Sequence, residues 1–254
     1  MGRRKQQRGR RVVVVAAIAA VAVGIWLWRR GREPPAGVPT CEAGPTVPGI
    51  DVSYYQEDIT WKRVRKAGLR YAFIRATDGT TITDVRFSRN WVGAKRAGLL
   101  RGAYQYFRPD QNALAQADLL INMIARDPGE LPPVIDVETD GGKSPAELEA
   151  SLRVWVDRVR ERLGVEPIVY TGPEFWASKL RGADLTSQPL WLAHYTRNCP
   201  TVPSPWRRWT FWQHTDNGRV PGIEGPVDLD VFAGTFAELQ ELGRRRVVKP
   251  TPSR

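Results

Sequence analysis

From residue 49 onward, short apolar runs alternate with segments of helical period. Gly49–Ser53 (GIDVS), Tyr71–Thr77 (YAFIRAT), Gly102–Phe107 (GAYQYF), Pro133–Glu138 (PVIDVE) and Pro167–Thr171 (PIVYT) read as strands. Helical patterns follow them at Trp61–Ala67, Phe87–Ala97, Asn112–Ala125 and Ser144–Leu163, with a short one ending at Leu180. Gly68, Gly98 and Gly164 stand where helices stop. Ser144-Pro145-Ala146-Glu147 supplies an N-cap, a proline at the first helical position and a capping-box acid. After Leu180 the alternation changes. Leu190–Tyr195 (LWLAHY), Thr210–Thr215 (TFWQHT) and Val227–Val231 (VDLDV) read as strands, and the Pro- and Gly-rich segments between them carry no helical period. Five βα units and then three strands predict a (β/α) barrel with parallel-type crossovers and an irregular last third. An open doubly wound sheet is the alternative.

Upstream, Val12–Trp28 is an uncharged apolar run of 17 residues. As a helix it spans about 25 Å, at the short end for a bilayer core. Six basic residues precede it, three follow closely, and Trp26 and Trp28 mark its outer end. This pattern predicts an N-terminus in the cytoplasm and the remainder outside, with membrane lipid as a partner. A cleaved signal peptide would share the basic and apolar regions, but no A-x-A-like site follows the run. The expected organisation is a basic stub at 1–11, an anchor at 12–28, a Pro/Gly-rich linker at 29–48, a barrel at 49–243 and a basic disordered tail at 244–254. Secretion after cleavage is the alternative.

The formal net charge of +11 suggests nucleic acid until it is mapped. Residues 1–33 carry +8 and residues 244–254 carry +5, so residues 34–243 carry −2. A slightly acidic domain does not track phosphates, and no nucleic-acid partner is expected. Two cysteines exclude a disulfide-rich scaffold; Cys41 and Cys199 either pair after export or stay free. No H-E-x-x-H, ligand-spaced Cys/His cluster or G-x-S-x-G is present, and Val137 stands where a phosphate-binding loop ending at Ser144 needs its first Gly. His194 and His214 read as hydrogen-bonded residues rather than ligands, and neither metal nor cofactor is implied.

The informative residues are carboxylates within apolar strands: Asp51, Asp136 with Glu138, and Asp228 with Asp230. Residues i and i+2 of a strand share a face, so Asp136 and Glu138 project together, near the carboxyl ends of the strands where barrel enzymes place their chemistry. Salt bridges or helix caps are the plain reading of Asp228 and Asp230. For Asp136 and Glu138 that reading is weaker, because two acids on one buried face repel and resist desolvation. The expected result is one protonated acid beside one ionised partner, with Glu138 as the less solvated, protonated one. A glycosidase needs that pair.

These residues, in order, resemble glycoside hydrolase family 25, the Chalaropsis-type lysozymes or N,O-diacetylmuramidases. The resemblance rests on Asp51-Val52-Ser53-Tyr54-Tyr55-Gln56, Phe73-Ile74-Arg75, Thr77-Asp78-Gly79, GAYQYF, Asp136-Val137-Glu138, Ile168-Val169-Tyr170-Thr171, LWLAHY, Trp212-Gln213 and Val227–Phe232. It covers residues 49–236 and implies a (β/α)5(β)3 barrel. It further implies cleavage of the β-1,4 bond between N-acetylmuramic acid and N-acetylglucosamine in peptidoglycan. By position Glu138 is the general acid, Asp136 its partner, and Asp51 and Asp228 the remaining acids. Tyr106, Tyr170, Trp191 and Gln213 are expected to bind the glycan, with aromatic residues at strand ends stacking on sugar faces. Arg75, Asp78, Ile82 and Gln105 depart from the family's usual residues. A non-catalytic peptidoglycan-binding barrel and a hydrolase of another amino-sugar polymer, such as chitin, remain as alternatives.

Overall fold

A computed structural model describes residues 38–41 and 44–245. The expected stub, anchor, first part of the linker and end of the tail lie outside these residues. Among the described residues no helix is long and apolar enough to cross a membrane.

Eight strands close a barrel: β1 (Thr46–Val52), β2 (Tyr71–Asp78), β3 (Leu100–Tyr106), β4 (Val134–Asp136), β5 (Ile168–Thr171), β6 (Leu190–Ala193), β7 (Phe211–Gly218) and β8 (Val227–Ala233). Each pairs with its neighbour in sequence, and β1 pairs with both β2 and β8. Helices α1 (Trp61–Lys66), α2 (Phe87–Ala97), α3 (Ala113–Ile124), α4 (Pro145–Leu163) and α5 (Pro173–Lys179) follow the first five strands. The predicted punctuation is in place. Ser144 and Glu147 form a reciprocal capping box on α4, and Gly98 and Gly164 adopt left-handed conformations after α2 and α4.

Three features differ from the sequence reading. First, β8 runs antiparallel to both β7 and β1, where a parallel crossover was expected. Its connection from β7 is too short for the dozen or more residues that a parallel return requires. Second, the barrel starts at Thr46, and Val38–Pro39 pairs with Thr201–Val202, so the end of the expected linker belongs to the folded domain. The Cys41–Cys199 disulfide fixes that segment. Third, a helix α6 (Phe236–Arg244) follows β8. Thr235 and Glu238 form its capping box, a signal readable from the sequence.

The lumen is apolar at its base and acidic at its top. Tyr71, Phe73, Val134, Ile168, Trp191, Phe211 and Phe232 pack together, with Phe73 stacked on Trp191 at 4.4 Å and edge-on to Phe211 at 5.0 Å. Room for these rings comes from glycine: a Cβ on Gly49 would collide with Tyr71, and one on Gly102 with Phe73. Two residues farther along the same strand faces stand Asp51, Asp136, Tyr170 and Gln213. A second apolar layer packs helices against the outer strand faces. There Arg101 is fully buried, bound to Asp127 and Glu130 and lying 4.4 Å over the Trp91 ring.

Candidate active site

The acidic end of the lumen opens into a cleft of about 240 Å3. Its walls contain all four predicted acids, Asp51, Asp136, Glu138 and Asp228, and all four predicted glycan-binding residues, Tyr106, Tyr170, Trp191 and Gln213. Two other depressions, about 570 and 1020 Å3, are larger. Neither gathers a group of carboxylates, so chemistry rather than size singles out the cleft.

Backbone geometry explains the convergence. Asp51 is the penultimate residue of β1 and Asp136 the last of β4, both at carboxyl ends. Glu138 lies just past β4, and its position is held by Val137, whose N–H donates to Tyr170 O at 3.0 Å. Asp228 is at the start of β8, not at a carboxyl end. The reversed direction of that strand brings it directly opposite Asp51.

The exposure order reverses expectation. Asp136 is 7% exposed, whereas Glu138 is open to solvent at the cleft mouth. Asp136 is thus the less solvated of the two. Burial, then the negative charge of Glu138, pushes its carboxyl well up, against the pull of Arg75 and Arg108. Its Oδ1 has no hydrogen-bond partner. The Glu138 carboxyl is also raised, chiefly by lost hydration within the cleft, against the opposing influence of Tyr170. Asp51 is raised by burial and by Asp230 and Asp228. Asp228 is raised to about 6, first by lost hydration and then by Asp216. Several acids crowded into a poorly hydrated space hold their protons to higher pH than isolated carboxyls do. The arrangement can donate a proton and face a developing positive charge.

Residues 50–223 match the profile of glycosyl hydrolases family 25. Lysozyme M1 of Streptomyces globisporus is 38% identical over 209 residues, covering 77% of this chain and 71% of that protein. The N,O-diacetylmuramidase of Chalaropsis sp. is 33% identical over 203 residues, covering 72% and 96%. The crystal structure of a lysozyme from Streptomyces coelicolor superposes with a TM-score of 0.73 at 35% identity, covering 79% of this chain and 97% of that one.

The chain belongs to glycosyl hydrolase family 25. It is a glycoside hydrolase, and its closed eight-stranded barrel is the fold of family 25 lysozymes.

Within this family 25 site, sequence reasoning missed several residues. Tyr104 and Tyr195 line the cleft without having been placed in the site, and so does Arg75, noted before only as a departure from the family's usual residue. Arg75 and Tyr104 were legible in principle, because each shares its strand face with a lumen residue. Asp230 was noted beside Asp228 but not placed in the site. It is buried beneath Asp51, accepting a hydrogen bond from Trp191 Nε1 at 2.9 Å. Trp191 is itself only 2% exposed, with Phe73 and Tyr170 against its ring. It cannot offer a free face to a sugar; exposed Tyr55 and Tyr195 can. Three of the four departures from the family's usual residues have local partners, and Ile82 is exposed. Arg75 binds Asp84 at 3.1 Å, and Asp78 takes a two-point contact from Arg108 at 2.7 and 3.0 Å. Gln105 accepts from Trp155 Nε1 at 2.6 Å and donates to Gly79 O at 3.1 Å. His194 accepts a hydrogen bond from the Thr201 N–H, the plain role expected of it.

Proposed function

We propose that the protein is a muramidase that hydrolyses the β-1,4 bond between N-acetylmuramic acid and N-acetylglucosamine in peptidoglycan. The observation that carries this reading is the convergence of Asp51, Asp136, Glu138 and Asp228 on one cleft of a family 25 barrel. The relatives named lysozyme and N,O-diacetylmuramidase support it.

In this reading Glu138 is the general acid. Its place at the cleft mouth gives it access to the leaving oxygen, and lost hydration favours its protonated form. Asp136 lies beneath the reacting sugar, where it orients the 2-acetamido group or faces the oxocarbenium-like charge. An unpartnered buried carboxylate oxygen costs stability, and such groups are kept where chemistry uses them. The two-carboxylate scheme also admits assistance by the substrate's own acetamido group. Tyr55, Tyr106 and Tyr195 supply aromatic surface along the cleft. Product analysis on purified peptidoglycan and on chitin tests the reading. Muropeptides ending in N-acetylmuramic acid support it. Release from chitin alone, or from neither polymer, overturns it.

The run at 12–28 is proposed to hold the domain on the outer side of a bacterial cytoplasmic membrane, near its polymer. The basic flanks support this orientation, and the Cys41–Cys199 disulfide supports export to an oxidising compartment. The intact chain is expected in the membrane fraction, with its domain open to external protease. A mature chain starting near residue 37 would replace the anchor with a cleaved signal.

A further inference from the structure

Helices follow the first five strands, but none follows β6 or β7. A groove of about 1020 Å3 lies on that side of the barrel. Trp212 and Val231, directly opposite one another on β7 and β8, line it, and so does the Cys41–Cys199 disulfide. Trp209 joins them, its Nε1 donating to Thr40 O at 3.2 Å. Tyr195 lines both this groove and the acidic cleft, so the two adjoin.

Two polar residues in the groove have no partner. Gln213 pairs with Asp230 and Thr215 with Leu229, which leaves His214 as the extra residue of a β-bulge. Regular alternation would send His214 and Thr215 to opposite faces. The bulge turns both to the groove while Gln213 stays in the cleft. His214 was expected to be hydrogen-bonded. Among the described residues its ring makes no hydrogen bond and meets only Trp212, edge-on at 5.6 Å. Lost hydration pushes its pKa down, so near pH 7 the imidazole is neutral and offers one donor and one acceptor. Arg197 is exposed in the same groove and has no ion pair among the described residues. No carboxylate lines the groove, in contrast to the four acids of the cleft beside it.

We propose that this groove binds the acidic peptide that branches from the glycan, Arg197 taking a peptide carboxylate and His214 a backbone amide. The inference rests on the muramidase reading and extends it to the second component of the same polymer. A glycan lies along the cleft, so a group that leaves it sideways past Tyr195 is one carried on a sugar. The peptides of peptidoglycan are short, bear free carboxylates and present small apolar side chains. These match an unpaired cation, a polar ring edge and an apolar wall. A further sugar fits less well. Trp209 is 3% exposed, and Trp212 has the rings of Trp209 and His214 against it at 5.8 and 5.6 Å, so neither offers a free face for stacking.

The test uses the full chain and soluble, uncrosslinked peptidoglycan strands, one portion of them stripped of peptide by an amidase. Reducing-end release gives kcat/KM on each. Wild type is expected to be faster on the peptide-bearing strands. Arg197→Glu replaces attraction by repulsion at an exposed position. It is expected to lower kcat/KM about tenfold on peptide-bearing strands, chiefly through KM, and to leave the stripped strands unaffected. His214→Phe keeps a ring against Trp212 and removes its hydrogen-bonding edge. A loss of about threefold with the same selectivity is expected. The rate on stripped strands also reports that each variant is folded. Equal losses on both substrates would put sugar rather than peptide in the groove, and no loss on either would leave the groove without a role; both results overturn the proposal. A wild-type chain that cleaves neither substrate overturns the muramidase reading itself, and the proposal with it.

Discussion

Asp228 stands directly opposite Asp51 across the antiparallel ladder between β8 and β1. Two acids facing one another in this way destabilise a sheet. Only the reversed direction of β8 lets the start of that strand meet the end of β1.

Asp228 carries a pH signature of its own, set first by lost hydration and then by Asp216. The Asp228 carboxyl is raised to about 6 in the folded state, against about 3.9 in an unfolded chain. Between those values the folded state binds the extra proton. The Asp228 contribution to stability falls as pH rises from about 4 to about 6, and the loss persists above. Asp228→Asn is expected to stabilise the domain at pH 7 relative to wild type and to change little at pH 4. Urea unfolding at both values checks this. An equal gain at both contradicts it.

Arg101 shows the opposite sign. It is fully buried and binds Asp127 and Glu130, and the Asp127 carboxyl is lowered to about 2, first by its hydrogen bond to Arg101. This contribution is present above the unfolded value near 4 and is lost as pH falls towards about 2. Arg101→Met leaves two acids without their shared cation. It is expected to destabilise by about 2–4 kcal/mol at pH 7, below the cost at fully buried pairs because both acids reach solvent. Denaturant midpoints at pH 7 and pH 3 check both size and sign, the deficit shrinking at pH 3.

Gly102 is required by the ring above it. A side chain there meets Phe73 and lies 3.3 Å from Pro132 O. Gly102→Ala is expected to cost about 1–3 kcal/mol by overpacking. Phe73→Leu should recover part of that loss in the double variant. Simple additivity of the two losses in chemical unfolding would show that the ring is not what the methyl strikes.

The barrel was legible because its determinants are local. Period-two strands, glycine stops and the Ser144–Glu147 capping box all act within a few residues. The direction of β8 was not, since VDLDV reads the same whichever way the strand runs. The four acids were found because charge in an apolar strand is conspicuous, yet their relative burial was misjudged. Alternation places Asp136 and Glu138 on one face but cannot tell that β4 ends between them, leaving one in the lumen and the other at the mouth. Trp191 was expected to bind glycan on the family resemblance. Its long-range contacts with Phe73 and Tyr170 make it part of the core instead.

The central claim is that Glu138 delivers the proton to the leaving sugar. Glu138→Gln keeps the side chain's shape and removes that proton. Reducing-end release from purified peptidoglycan by Glu138→Gln, beside wild type and with folding confirmed by circular dichroism, is the direct measurement. The account predicts a loss of about 10²–10⁴ in rate, the usual contribution of a general acid. Cleavage by the folded variant at close to the wild-type rate would contradict it.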